Sequence, residues 1–162
     1  MRIGVFAEIE SELVDPEVKA AVEECAALLE RADCGVVRRA APYDVGRVRS
    51  VWATLSAAGA ARTTCMHPDI WRERASRPIA AAAGRGPSLT AVDYVRALDG
   101  LAEIRGLVAD AWGDADAFLC PSAASPAWAI DEEFPAAIGG RPGHPAAQNV
   151  FTTWVNAIGH RA

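Results

Sequence analysis

The hydrophobic positions at the start of the chain form two short strand-like runs with a helix-length stretch between them. The runs are Arg2–Ala7 and Cys34–Arg39. Before the helical stretch, Asp15, Pro16 and Glu17 have the order of a helix N-terminus, where aspartate caps free N–H groups and proline fits the first turn. The apolar residues that follow at helical spacing are Val18, Val22, Cys25, Leu29 and Ala32. This part of the chain predicts a strand, helix, strand unit with a right-handed crossover.

Helical periodicity returns twice further along the chain. Apolar residues recur with helical spacing from Val45 to Arg62, and the pattern fades into a loop at His67-Pro68. Thr90 and Asp93 then have the spacing of a capping box that opens a helix running to Trp112. The expected buried face of this helix consists of Val95, Leu98, Leu101, Ile104, Val108 and Ala111.

The last third of the chain predicts one more strand. It covers Asp116–Cys120 and ends at Pro121, before a Pro-, Gly- and Ala-rich stretch that leads to an apolar segment at Asn149–Ile158. The elements together predict an α/β fold, with a mixed, partly parallel sheet flanked by helices, in a single domain over residues 1–162.

Composition supports a folded domain and argues against some partners. Hydrophobic residues make up 51% of the chain and charged residues 23%, a balance typical of globular proteins. The net charge of −5 leaves no broad cationic surface for nucleic acid. The start of the chain is too short for a signal segment, and its apolar runs fall short of a membrane span. We therefore expect a cytoplasmic protein with no membrane or nucleic-acid partner.

Several familiar kinds of site are not indicated. The first predicted strand is followed by Glu8-Ile9-Glu10-Ser11-Glu12, which is not a glycine-rich phosphate loop. The histidines and cysteines lack metal-ligand spacing, so we expect no metal, no cofactor and free thiols. These residues are His67, His144, His160, Cys25, Cys34, Cys65 and Cys120.

Residue types for a Ser-His-Asp triad do occur in one segment, although no G-x-S-x-G turn presents a serine. They are Ser122, Ser125, Asp131 and His144. We interpret the serines as turn residues and the acidic run at 131–133 as solvated charge. The residues by themselves nominate no nucleophile and no general acid.

The order of four segments resembles the amidase-signature enzymes, in the part that follows their catalytic segment. The segments are Val14-Asp15-Pro16-Glu17-Val18 after a first strand, Ser88–Tyr94, Asp116–Ser122 and Phe151–Gly159. Enzymes of this family cleave carboxamide C–N bonds through a serine acyl-enzyme, with a second, cis-peptide serine and a lysine that relay protons. The resemblance therefore implies an amidase-like fold and an amide substrate.

The catalytic parts that the resemblance implies have no counterpart in these 162 residues. No Gly-Gly-Ser-Ser-Gly-type segment is present, and the only lysine is Lys19, which the helix pattern places on a solvated face. We therefore assign no catalytic residue. We expect the chain to be a C-terminal fragment of an amidase domain that is inactive by itself, with an amide as its substrate if the N-terminal portion complements it.

Four residues are candidates for contact with substrate on the strength of the resemblance. They are Cys120, Ser122, Trp154 and Asn156. We also expect an exposed strand edge and exposed aromatic residues, which favour a homo-dimer or poor solubility. The expected exposed aromatics are Trp112, Trp128 and Trp154. The alternative function is a stand-alone α/β domain that binds a small ligand or a partner protein.

Overall fold

The computed structural model describes residues 1–9 and 12–159. The chain divides into two compact units, one formed by residues 1–45 with residues 107–162 and the other by residues 46–106. The expectation of a single domain stays a prediction.

The helices and strands are β1 (Arg2–Val5), α1 (Pro16–Arg31), β2 (Gly35–Arg38), α2 (Val45–Met66), α3 (Pro68–Arg74), α4 (Arg77–Arg85), α5 (Ala91–Trp112), β3 (Ala117–Leu119), β4 (Ala137–Ile138), β5 (Arg141–Pro142) and α6 (Thr153–Ile158).

A parallel sheet of three strands lies in the first unit, in the order β2-β1-β3. Ile3 of the central strand pairs with Val36 of β2 and with Ala117 of β3. The predicted strands and the helix between the first two are confirmed, with boundaries one or two residues shorter than expected. The chain is therefore an α/β protein with a parallel sheet flanked by helices. A separate antiparallel pair, β4 with β5, makes the structure mixed.

Asp15 begins α1 as the sequence predicts. Its carboxylate accepts a hydrogen bond from the backbone N–H of Glu17 at 3.0 Å, and its second oxygen accepts one from Gly139 at 3.1 Å. The helix buries Val22 and Ala26. The expectation that Cys25 belongs to the buried stripe is wrong, because the packed stripe runs through residue 26 and leaves Cys25 exposed.

The core of the sheet is apolar and tightly packed. Ile3 and Val5 of β1 pack with Val22 and Ala26 of α1. On β1, Gly4 lies so close to Phe118 of the neighbouring strand that a Cβ atom there would come within 2.6 Å of the phenyl ring. Glycine at this position therefore leaves room for the Phe118 ring beside the central strand.

The second unit contains α3 and α4 and most of the length of α2 and α5. A loop was expected at His67-Pro68, but a short helix begins at Pro68, since proline fits the first helical turn. At the start of α5, the hydroxyl of Thr90 and the carboxylate of Asp93 are 2.7 Å apart, and Asp93 also accepts from the backbone N–H of Thr90 at 2.9 Å. The predicted capping box is confirmed.

The buried face of α5 differs from the expected one. Ala97, Ile104 and Val108 are buried, whereas Val95 is 54% exposed and Leu98 is 42% exposed. Leu101 is half-buried and Ala111 is exposed. The prediction is therefore correct for Ile104 and Val108 and wrong for Val95 and Leu98, where the packed face passes through Ala97 instead.

Over residues 1–9 and 12–159, every helix is too short or too polar to cross a membrane.

Candidate substrate-binding site

A cavity of about 710 Å³ lies beside β3 in the first unit. Three stretches of chain form it: the end of α5, the strand β3 with its flanking residues, and the segment that enters α6. The residues that line it are Trp112, Asp116, Ala117, Phe118, Leu119, Cys120, Pro121, Ser122, Phe151, Thr152, Trp154 and Val155. A concave space of this size is typical of sites for small molecules.

Four aromatic side chains contribute to the cavity wall, those of Trp112, Phe118, Phe151 and Trp154. The rings of Trp112 and Phe118 meet edge to face with centroids 4.8 Å apart, and Trp112 lies 6.4 Å from Trp154. Behind the wall, the ring of Tyr43 stacks on Trp154 at 5.1 Å, with its hydroxyl donating to the carbonyl of Val150 at 2.9 Å. Edge-to-face and offset stacked contacts are favourable, so the rings are held in fixed orientations.

Three of the four predicted substrate-binding residues lie on this cavity. Cys120 and Ser122 belong to the turn after β3, and Trp154 belongs to α6. Asn156 is exposed on α6, and the residues that this helix contributes to the cavity are Trp154 and Val155. Contact of any of the four with a substrate stays a prediction.

The expected exposure of the tryptophans is only partly correct. Trp154 is buried, with 3% of its surface exposed, because Tyr43 and Phe6 pack against its ring. Trp112 and Trp128 are half-buried. The indole N–H of Trp128 donates to the carbonyl of Glu132 at 3.0 Å.

The polar groups of the cavity are few. The carboxylate of Asp116 accepts a hydrogen bond from the backbone N–H of Arg2 at 2.7 Å. Burial raises the pKa of the Cys120 thiol to about 11, so this thiol is neutral at physiological pH. Ser122 is exposed. Among the side chains that the structure describes, the buried indole N–H of Trp154 has no hydrogen-bond partner.

The residues considered for catalysis are not brought together. Ser125 is buried and its hydroxyl donates to the carbonyl of Pro126 at 2.9 Å, while Asp131 is exposed. The Nε2 atom of His144 lies 3.8 Å from the carboxylate of Glu12. His160 lies outside the described residues. The triad residue types therefore do not form a triad.

Lys19 is in contact with an acidic residue. Its Nζ atom lies 2.6 Å from the Glu8 carboxylate, and 39% of its side chain is exposed. The hydrogen bond and the charge of Lys19 lower the pKa of Glu8. The lysine forms a surface ion pair, as its position on the polar face of α1 predicts.

Over the described part of the chain, no group of three or more His, Cys, Asp or Glu side chains could hold a metal ion.

Comparison with known proteins settles the family. The family model described as Amidase matches residues 1–162. The chain belongs to the amidase family. No curated protein matches this amidase-family chain.

Solved structures with similar folds are amidases and related hydrolases. A crystal structure of an amidase is 25% identical with a TM-score of 0.80, covering 98% of this chain and 36% of that chain. A 6-aminohexanoate cyclic dimer hydrolase is 20% identical with a TM-score of 0.76, at 98% and 36% coverage. A bacterial aryl acylamidase of the amidase-signature family is 15% identical with a TM-score of 0.72, at 96% and 34% coverage. The amidase-family chain thus spans about a third of the length of these proteins.

Sequence reasoning missed several residues of the cavity wall. Trp112, Phe118 and Phe151 lie in three separate segments, and only the folded sheet brings them together. One signal was available, since Phe118 and Phe151 both lie in segments that resemble the amidase family. Trp112, at the end of a helix, had no such signal.

Proposed function

We propose that this chain forms part of the substrate-binding wall of an amidase-type hydrolase that cleaves carboxamide C–N bonds. The observation that carries the proposal is the apolar cavity at the end of β3, in a chain that matches the amidase family along its whole length. The cavity would hold the apolar part of an amide, with its carboxamide group near the exposed residue Ser122.

The proposal includes inactivity of the 162 residues alone. Hydrolysis by this family's chemistry needs an activated nucleophile and donors for the oxyanion, which account for most of the rate enhancement. Lys19 is paired with Glu8, and the hydroxyl of Ser125 is bonded to a backbone carbonyl. We also propose action in the cytoplasm, which the free thiols of the four cysteines support.

The first prediction is that the purified chain hydrolyses simple carboxamides no faster than buffer. Release of ammonia from benzamide and hexanamide measures this, with a complete amidase as the positive control. The same assay is run on Ser122→Ala and Ser125→Ala. Turnover above buffer in the unsubstituted chain would contradict the proposal, and turnover that survives both substitutions would place the nucleophile elsewhere.

A second experiment tests the dependence on a complementary chain. A separately produced amidase segment that carries a lysine and a Gly/Ser-rich stretch is mixed with this chain. We expect amide hydrolysis only in the mixture. Activity of the added segment alone at the same rate would show that this chain contributes nothing.

The alternative function, a stand-alone domain that binds a small ligand, is favoured by one observation. The residues that line the cavity all belong to a single compact unit. Ligand binding that is unchanged by any complementary amidase segment would support this alternative.

A further inference from the structure

The second unit carries a groove with apolar walls and cationic residues beside them. It has a volume of about 470 Å³ and is formed by the end of α2 with α3, α4 and the residues between those two helices. Ile70 and Ile79 line it and are 59% and 49% exposed, beside the half-buried ring of Trp71. Arg74 also lines the groove, and Arg77 begins α4 two positions before Ile79. Such a groove favours a partner that combines an apolar side chain with acidic ones.

The cations at this groove lack acidic partners. Among the described residues, the side chains of Arg74 and Arg77 form no hydrogen bond and no ion pair. Residues 46–106 contain nine arginines and five acidic residues, a net charge of +4. The remainder of the chain contains seven basic and 16 acidic residues, a net charge of −9. The groove therefore lies in the basic unit of a chain whose other unit is strongly acidic.

A turn in the acidic unit has the complementary chemistry. The backbone N–H of Glu132 donates to the carbonyl of Ala129 at 3.1 Å, and the indole N–H of Trp128 donates to the carbonyl of Glu132 at 3.0 Å. These bonds hold the turn that carries Ile130, whose side chain is fully exposed. The acidic run at 131–133 follows it, is exposed throughout, and forms no ion pair with the described residues. The turn thus presents one isoleucine beside three unpaired carboxylates.

We propose that this turn of one copy docks in the groove of a second copy, with Ile130 against the isoleucines of the groove and the acidic run beside its arginines. The contact buries apolar surface of both copies and pairs charges that are unpaired in the single chain. A membrane or a nucleic acid fits less well, because the net charge of −5 repels an extended anionic surface. Each copy has both the turn and the groove, so the contact is head-to-tail and builds dimers or larger oligomers.

Charge exchange between the two surfaces tests the contact in the full chain. Arg74→Glu with Arg77→Glu reverses the groove, and Asp131→Arg with Glu133→Arg reverses the turn. Each variant alone should associate roughly tenfold more weakly than the unsubstituted chain, because like charges then face each other. An equal mixture of the two variants should regain the association, since each turn then finds a groove of opposite charge. Sedimentation velocity over a concentration series measures the association.

A further variant tests the apolar part of the contact. Ile130→Ser should weaken association roughly tenfold, because the burial of an aliphatic side chain is lost. Leu28→Ser is the matched control, since Leu28 is 58% exposed on α1 and belongs to neither surface. Arg31→Glu with Arg85→Glu is the charge control, at exposed positions outside the lining of the groove. Both controls should associate like the unsubstituted chain, and a thermal melt confirms that each variant is folded.

The unsubstituted chain also decides the question without any variant. Its association should weaken as the salt concentration rises, because salt screens the paired charges. A chain that stays monomeric over the whole concentration series, or that associates independently of salt, would overturn the proposal.

Results with the variants can overturn it as well. Association that either charge-reversed variant leaves unchanged, or that their mixture does not regain, would show that the turn and the groove do not meet. Vesicles of phosphatidylserine and phosphatidylcholine that bind every chain except the one with the reversed groove would assign the groove to a membrane instead. Neither surface contains a residue that lines the cavity beside β3, so these outcomes leave the proposed function untouched.

Discussion

At the scale of single residues, Cys120 differs from the other cysteines by its surroundings. Its thiol lies in the cavity wall, where burial raises its pKa to about 11 from an ordinary value of 9.0. Only the thiolate reacts with alkylating reagents. Cys25 and Cys65 are exposed, which makes them internal references.

We predict that iodoacetamide at pH 8 modifies Cys120 roughly a hundredfold more slowly than Cys65, because a rise of two pKa units lowers the thiolate fraction by about that factor. Mass spectrometry of the digested chain over time measures both rates. In the urea-unfolded chain the two rates should converge. Equal rates in the folded chain would show that Cys120 is open to solvent.

Residue roles that depend on near neighbours could be predicted from the sequence. Asp15 caps the helix that begins one residue later, and Thr90 bonds a side chain three positions away. The burial of Trp154 could not be predicted in this way. It depends on contacts with Phe6 and Tyr43, which lie more than a hundred positions earlier in the chain.

At the scale of elements, Asp15 connects α1 to the turn between β4 and β5. One carboxylate oxygen caps the helix and the other accepts from the backbone N–H of Gly139. The backbone N–H of Asp15 also donates to the carbonyl of Ala124 at 2.7 Å. This one residue thus joins three parts of the chain.

We predict that Asp15→Ala lowers the free energy of unfolding by about 1–2 kcal/mol, as loss of a helix cap does, with a contribution from the lost bond to Gly139. Asp15→Asn keeps one acceptor oxygen and should lose less. Urea unfolding followed by circular dichroism measures the changes. Glu24→Ala, at an exposed position of the same helix, is the control and should change stability little. An alanine variant as stable as the Glu24 variant would refute this role of Asp15.

The sequence predicts helices and strands that have strong local signals. It predicts less well which face of each element is buried. The strands and the start of α1 follow from short apolar runs and a capping residue. In α5, two apolar stripes compete, and the sequence favours the one with the larger side chains. The structure buries Ile104 and Val108 as predicted, but it buries Ala97 in place of Val95 and Leu98, because the packing around the helix decides which residues of its first turns are covered.

At the scale of the whole molecule, α5 carries a stripe of exposed apolar side chains. Val92 is 57% exposed, Val95 is 54% exposed and Leu98 is 42% exposed. Neighbouring apolar side chains in water favour association. The sheet order also leaves β3 at an outer edge, where backbone groups are available for pairing.

We predict that the chain self-associates, with a dimer as the first species, and that Val95→Lys with Leu98→Lys weakens this association. Two added charges on the exposed stripe oppose its burial. Sedimentation velocity over a wide concentration range measures the distribution of species, and binding of a hydrophobic dye measures the exposed apolar surface.

The control places the same two charges elsewhere, as Ala20→Lys with Ala21→Lys on exposed positions of α1. This variant should associate like the unsubstituted chain. If the unsubstituted chain stays monomeric at all concentrations and binds no hydrophobic dye, the prediction is contradicted.

The first unit is built from two stretches of chain with residues 46–106 between them, and this has a consequence for synthesis. The central strand β1 leaves the ribosome long before β3, its partner through the pairing of Ile3 with Ala117. At about 5–20 residues per second, one side of β1 waits several seconds for that partner. During this interval, closure of the sheet depends on how far residues 46–106 have folded, since a compact insert shortens the loop to be closed. Nascent chains that end before β3 therefore carry an unpaired edge on β1, which favours association with other chains.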